Sequence, residues 1–394
     1  MGEYLEKVEQ YTVDIINGRN RTVWDRGYRV FLFVLSRLYL NVVQLRLALY
    51  NSSVLKQQDP GCIVVSVGNL TTGGTGKTPV VELLSRTLAE RGRHVAILSR
   101  GYRSKVHRTW WQKLLRLLPG QRDTEPPRVV SDGREVLLNS AVAGDEPFML
   151  ASNLLACDGH AGVAVVVDKD RVKGGRYAIQ RLQADTLILD DGFQYLRLRP
   201  RLNILLVDTT NPFHNHEMLP CGLLREPIEN LRRADYVVMT KSCGGEHLRH
   251  LRNFIRRHNP AAPVIECNHV PCYLQNVQTR ERLELSGLRG RKLAAISAIA
   301  VPASFLNYLT ELGGELVYSR HFVDHHRYRE SELEEVYEAA HAHGAEMIVT
   351  TEKDAVRLPR LRSGDLPVFY LRIAIRILKG QEEFDKCITQ ICLE

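Results

Sequence analysis

Short apolar runs recur along this chain, each followed by a longer stretch with helical character. CIVVSVG (62–68), HVAILSR (94–100), GVAVVVD (162–168), TLILDDG (186–192), NILLVD (203–208) and YVVMT (236–240) read as strands. The alternation predicts a mostly parallel sheet covered by helices. After about residue 230 the rhythm resumes with PVIECNHVP, KLAAISAIA, LGGELVYSRHF, MIVTT and VFYLRI, separated by helical stretches such as ESELEEVYEAAHAHG. This predicts a second α/β layer. Residues 211–234, rich in Pro, Gly, Arg and Glu, read as a linker or a cleft-lining loop.

One early segment breaks the pattern. Residues 28–50, YRVFLFVLSRLYLNVVQLRLALY, set Arg37, Asn41, Gln44 and Arg46 among large apolar side chains. A spanning helix needs roughly 20 mostly apolar residues, and a central Arg costs about 2.5–3.5 kcal/mol on insertion scales. Arg37, Asn41 and Gln44 fall at i, i+4 and i+7 and share one face, which predicts an amphipathic helix lying in a membrane interface. A buried packing helix is the alternative. The basic stretch 104–128, with Trp110 and Trp111, reads as an insertion that either touches membrane or forms a surface loop.

Length and composition narrow the class. At a usual domain size of about 100–200 residues, 394 residues suggest two domains. A content of 44% hydrophobic and 25% charged residues is too apolar for disorder. The net charge of +8 favours anionic partners without choosing among them. The eight cysteines show no C-x-x-C pair and no zinc-like spacing, as expected of free thiols in a reducing cytoplasm. The start, MGEYLEKVEQYTVD, lacks a basic and then apolar secretion signal, so the chain is expected to stay inside the cell.

The chemistry concentrates in TTGGTGKT, residues 71–78, directly after the first strand. Its Thr71, Thr72, Gly73, Gly74, Thr75 and Gly76 can wrap phosphate oxygens with backbone N–H groups. Lys77 can reach the β- and γ-phosphates, and Thr78 can hold magnesium. Thr71 stands where the usual loop has its first glycine. TLILDDG supplies Asp190 and Asp191 as oxygen anchors for the ion. In GDEP (144–147), Asp145 either caps the following helix or serves as a general base for a sugar hydroxyl. In HFVDHHRY (321–328), adjacent histidines chelate poorly, and His325 is expected to tune a catalytic acid. In LPCGLLREP (219–227), Arg225 suits charge neutralisation at a transferring phosphoryl group and Glu226 a second metal contact, with a loop ion pair as the alternative.

Taken in order, VGNLTTGGTGKTP, LSRGY, GDEP, DDGFQ, LPCGLLREP, RRADYVV, DHHRY and TTEKDAVRL resemble the tetraacyldisaccharide 4'-kinase family over about residues 28–372. The resemblance implies two α/β/α sandwich-like domains, the N-terminal one a P-loop NTPase core preceded by an amphipathic membrane-contacting helix. The expected boundaries are 1–55 for the helix region, 56–230 for the kinase domain and 231–394 for a second α/β domain. It further implies ATP and Mg2+ as cofactors and transfer of the γ-phosphate to the 4'-hydroxyl of a tetraacylated glucosamine disaccharide 1-phosphate. Lys77 and Thr78 would serve ATP and magnesium, and Asp145 and His325 would form a base dyad. Asp190, Asp191 and Glu226 would surround the metal, with Gln194 and Arg225 lining the phosphate or substrate site. Tyr195 stands where the family usually has His. The expected setting is the cytoplasmic face of the bacterial inner membrane, peripheral or monotopic, for a monomer with a lipid substrate and no nucleic acid. A membrane-docked regulatory P-loop NTPase is the competing reading, motivated by VVMTK (237–241), although Ser242 and Cys243 follow where a guanine reader has Asp.

Overall fold

The computed structural model of the chain describes residues 11–12, 14–16, 22–101, 125–156, 161–299, 301–323, 326–359 and 366–393. The expectations for Asp324, His325, Trp110 and Trp111 lie outside these residues. In chain order, the first elements are α1 (Val23–Asn51), β1 (Ile63–Asn69), α2 (Lys77–Glu90), β2 (Val95–Ser99), β3 (Arg128–Asp132), α3 (Asp145–Asn153), β4 (Ala164–Val167), α4 (Arg171–Leu182), β5 (Thr186–Asp190), β6 (Leu202–Asp208) and β7 (Tyr236–Thr240). Then come α5 (Arg249–His258), β8 (Val264–Asn276), β9 (Arg282–Glu284), β10 (Lys292–Ser297), α6 (Pro302–Glu311), β11 (Glu315–His321), α7 (Glu330–Ala342), β12 (Met347–Thr351), β13 (Val368–Lys379) and α8 (Gln381–Cys392). The apolar runs of the sequence all became strands. Strands β3 and β9 are additional, too short and too polar to stand out by periodicity.

The chain forms two compact units, one of Met1–Lys77, Thr186–Asn268 and Ile377–Glu394, the other of Thr78–Asp185 and His269–Arg376. Each is drawn from separated stretches, whereas the sequence suggested contiguous blocks at 56–230 and 231–394. The reason lies in the pairing of β1. It runs parallel between β5 and β6, so strands more than a hundred residues apart are neighbours.

In the first unit the order β5-β1-β6-β7-β8 is parallel at every step. Val65, Val67, Leu187, Ile188, Leu189 and Leu205 are almost wholly buried, as befits strands covered on both faces. Segment 211–234 is no linker. Phe213, Met218, Leu224, Ile228 and Leu231 belong to the core beside β6 and β7. Helix α1 starts at a capping box formed by Thr22 and Asp25. It lays Tyr39, Leu40 and Val43 on that core, while Tyr28 and Leu32 pack near Cys221. Its opposite side leaves Phe31, Val34, Leu38, Val42 and Leu45 exposed, at 53–63% of their surface. The helix is thus packed along one side only.

In the second unit β11-β10-β12-β13 form one parallel group, and β2-β4-β3 another in which β3 is antiparallel. Alternation along β10 separates two cores. Ala294 and Ile296 meet Leu333, Val336 and Tyr337 of α7, whereas Leu293 and Ala295 meet Phe305 and Leu309 of α6. Helices thus cover both faces, giving an α/β/α layer.

In the first unit, burial pushes the thiols of Cys267 and Cys387 up to about 12. Iodoacetamide at pH 8 is therefore expected to label exposed Cys243 rapidly. Cys267 and Cys387 should react only after unfolding, as peptide mass spectrometry would show.

Candidate active site

In the first unit the carboxyl ends of four adjacent parallel strands present Asp190, Asn69, Asp208 and Thr240. This is the end at which open α/β sheets bind ligands. The turn after β5 lies hard against β1, since Gly192 N donates to Val67 O at 2.9 Å. A Cβ on Gly68 would stand 2.7 Å from Phe193 Cβ, and one on Gly192 2.5 Å from Leu189 Cβ. Both positions must be glycine for this approach. Asp191 takes a left-handed backbone (φ 55°), a conformation aspartate tolerates better than most residues.

Segment 219–227 reaches the phosphate loop by backbone pairing. Thr71 bridges Leu224 in antiparallel fashion, Thr72 N donates to Leu223 O at 2.8 Å and Arg225 N to Leu70 O at 2.7 Å. Arg225 is thereby delivered to Asp191, which its guanidinium holds with two bonds of 2.8 Å. Lys77 Nζ donates to Asn69 Oδ1 at 3.2 Å and lies 3.5 Å from Asp191 Oδ1. Arg225 also donates to Asn69 Oδ1. Two cations thus share one carboxylate and one amide oxygen, leaving positive charge for an anion. Gln194 Nε2 donates to Asn69 O at 3.0 Å, tying the DDGFQ turn to the start of the loop.

The far side of the loop is fixed by β7. Thr240 Oγ1 donates to Thr75 O and Lys241 Nζ to Gly74 O, both at 2.8 Å, and Lys241 also pairs with Asp208 at 2.5 Å. A planar trans peptide places the next N–H opposite its carbonyl. Anchoring these two carbonyls therefore fixes the direction of the Thr75 and Gly76 N–H groups. The loop also fits a polyphosphate in shape. A Cβ on Gly73 or Gly74 would meet no atom within 4 Å, and the buried Thr75 hydroxyl has no hydrogen-bond partner. Helix α2 begins at Lys77 and adds the positive end of its dipole. Lys241→Ala is expected to raise the KM for ATP about tenfold, the loss of one or two charge-assisted bonds, with a smaller change in kcat. Lys241→Arg should recover part of it in steady-state kinetics.

The other expected site residues have different neighbours. Glu226 is 3% exposed, and its Oε2 accepts from Asn230 Nδ2 at 2.7 Å and Arg233 Nη1 at 2.5 Å. Burial pushes its carboxyl up, opposed by Arg233. Arg233 also donates to Phe193 O at 2.7 Å and lies 4.3 Å from the Phe193 ring centroid, so this pair braces the DDGFQ turn. Asp145 opens α3 in the second unit. There it accepts from Arg327 at 3.0 Å and from the buried Arg357 at 2.8 Å, one guanidinium on each oxygen. His326, next to the expected His325, contacts Glu332 at 2.8 Å.

Among the described residues no three His, Cys, Asp or Glu side chains form a metal cluster. Magnesium does not need one, since it is commonly held by one or two carboxylates plus phosphate and water. Thr78, Asp190 and Asp191 are hard oxygen donors of the right chemistry.

Comparison with known proteins decides among the uses of such a loop. Residues 28–393 match the model of the tetraacyldisaccharide-1-P 4'-kinase family. The chain belongs to that family. It is 36% identical over 395 residues to the tetraacyldisaccharide 4'-kinase of Syntrophus aciditrophicus, covering 95% of this chain and 98% of that one. With the corresponding kinase of Anaeromyxobacter sp. strain K it shares 44% identity over 316 residues, covering 80% and 77%. The crystal structure of LpxK from Aquifex aeolicus in complex with ATP matches with a TM-score of 0.68 at 29% identity, over 92% of this chain and 99% of that one. Within this 4'-kinase, sequence reasoning gave no role to Asn69, Thr240, Arg327 or Arg357. It weighed Lys241 only as a nucleobase reader. Strand-end position was the available signal for Asn69 and Thr240, and the motifs DHHRY and TTEKDAVRL for Arg327 and Arg357; neither tells which groups will meet.

Proposed function

We propose that this kinase transfers the γ-phosphate of ATP to the 4'-hydroxyl of a tetraacylated glucosamine disaccharide 1-phosphate, at the cytoplasmic face of the inner membrane. The observation that carries the reading is the convergence of Lys77 and Arg225 on Asp191 and Asn69 beside a loop with fixed carbonyls, in a chain of this family. The loop N–H groups bind the polyphosphate, and Lys77 and Arg225 stabilise charge on the transferring group. Thr78, Asp190 and Asp191 would hold magnesium, which supplies further neutralisation of the β- and γ-phosphates. Glu226 would join them by exchanging Arg233 for the ion. Asp145, with His325, would accept the proton of the attacking hydroxyl; Arg327 and Arg357 orient the Asp145 carboxylate. Purified protein with γ-labelled ATP, magnesium and the tetraacyl disaccharide 1-phosphate in detergent micelles is expected to yield labelled bisphosphorylated lipid. Nucleotide hydrolysis without labelled lipid would favour the regulatory NTPase instead.

A lipid substrate calls for a membrane surface, and α1 offers one. The 29-residue helix has mean hydropathy 1.5 over its most apolar window, enough by length and composition to cross a bilayer. One of its faces, however, is taken by the unit's own core from Tyr28 to Leu47. The stripe of Phe31, Val34, Leu38, Val42 and Leu45 fits shallow insertion, with Arg37, Asn41 and Gln44 at its polar edge. Burying it contributes on the order of several kcal/mol. Replacing Leu38 and Leu45 by Glu is expected to move the protein from the membrane pellet to the supernatant, with ATP binding retained.

A further inference from the structure

A cavity of about 450 Å³ lies within the second unit, none of it formed by the loop 71–78. Four of its walls are guanidinium groups, those of Arg86, Arg280, Arg282 and Arg372, and two are the rings of Tyr273 and Tyr370. Arg86 and Arg372 are held by acids: Arg86 pairs with Glu82 at 3.0 Å, and Arg372 with Glu82 and, at 2.7 Å, with Glu352. Two cations against two carboxylates leave that pair neutral. Arg280 and Arg282 form no ion pair among the described residues. They lie on the β9 side of the turn that joins β8 to β9, a hairpin pinned by Gln275 pairing with Arg282 and by Asn276 N bonding Glu281 O. Arg282 lies 4.6 Å from the Tyr273 ring centroid, and Tyr370 donates to Gln275 at 2.5 Å. Stacking and backbone pairing thus hold a local charge of two in a walled cavity rather than on free surface arms.

We propose that this cavity is a second anion site, which takes a phosphomonoester. Such a group carries about −1.5 to −2 at neutral pH, matching the two uncompensated guanidinium groups. Arginine forks suit its three oxygens, and the Tyr273 hydroxyl adds a neutral donor, that of Tyr370 being given to Gln275. At roughly 30 Å³ per water, the space holds more than a bare phosphate and accommodates one sugar ring with its phosphate. The polar lining speaks against an apolar ligand. The phosphate could come from free inorganic phosphate or from a hexosamine 1-phosphate. The site does not depend on the phosphoryl-transfer reading, because none of its residues takes part in it.

The test is calorimetric titration of the full-length protein with inorganic phosphate and, separately, with glucosamine 1-phosphate. A saturating non-hydrolysable ATP analogue with magnesium keeps the loop 71–78 filled. Wild type is expected to bind one equivalent of at least one ligand. Arg280→Ala with Arg282→Ala should weaken binding tenfold or more, and the two Lys replacements should restore part of it. Arg256→Ala with Arg257→Ala, removing two exposed charges elsewhere, should leave binding unchanged. Tighter binding of glucosamine 1-phosphate would assign the site to a sugar phosphate, and equal binding to free phosphate. No binding, or equal loss in both double variants, overturns the proposal; an unchanged melting temperature excludes a folding defect as the cause.

Discussion

Lys77→Ala is expected to lower kcat by on the order of 10²–10³ while leaving the melting temperature close to that of the unmodified chain. Catalysis of phosphoryl transfer is mostly positioning and electrostatic stabilisation, so a lost cation is felt chiefly in the transition state. Folding should tolerate the change. Asp191 keeps both bonds to Arg225, and Asn69 keeps Arg225 and its own bond to Thr71 O at 2.7 Å. ATP should still bind through the loop N–H groups, so KM is expected to move far less than kcat. Transfer of label to lipid, measured with circular dichroism melting on the same preparations, checks both halves. A variant with normal turnover would remove Lys77 from the chemistry.

The largest stability effect is expected from Arg372→Ala in the second unit. Arg372 sits between Glu82 and Glu352, which Asn153 Nδ2 also contacts at 3.2 and 2.7 Å. All three charged side chains are at least nine-tenths buried. Removing the cation leaves Glu352 without a charged partner, while Glu82 keeps Arg86 at 3.0 Å; breaking comparable buried pairs costs about 3–5 kcal/mol. The loss should depend on pH. Burial already raises the Glu352 carboxyl, with Arg372 opposing it. Without Arg372 the folded state takes up a proton more readily, while the unfolded carboxyl keeps its ordinary value of about 4.3. The folded chain then binds more protons than the unfolded one, so stability falls as pH rises. The deficit should be smaller at pH 5.5 than at pH 8 in denaturant unfolding. A deficit under about 1 kcal/mol, or one flat with pH, would mean that the pair contributes little.

Several features were legible because they rest on local chemistry. A buried parallel strand must be apolar, so β1, β5, β6 and β7 stood out by composition. A loop that wraps phosphate must be small and end at a helix start, so 71–78 was visible too. The ordered motifs carried the family. Residues whose meaning lies in a distant partner were less legible. Even at short range the partner was not readable: Glu226 was expected at a metal, and its carboxylate accepts from Asn230 and Arg233, four and seven positions on. Segment 211–234 was polar enough to pass for a linker, yet its few apolar residues are core and its backbone delivers Arg225.

The sequence by itself determined the strand pattern, the phosphate loop, the amphipathic helix and the kinase family, since each follows from residue type and spacing along the chain. Only the tertiary structure decided that Arg225 closes on Asp191, that Lys241 holds the Gly74 carbonyl, and that Asp145 lies between Arg327 and Arg357. Those contacts join residues 34, 167, 182 and 212 positions apart. Hydrogen bonds and ion pairs of that kind act over a few ångströms in space. No periodicity or propensity along the chain encodes which distant groups will meet, because the parallel sheet, with its long crossovers, sets those meetings.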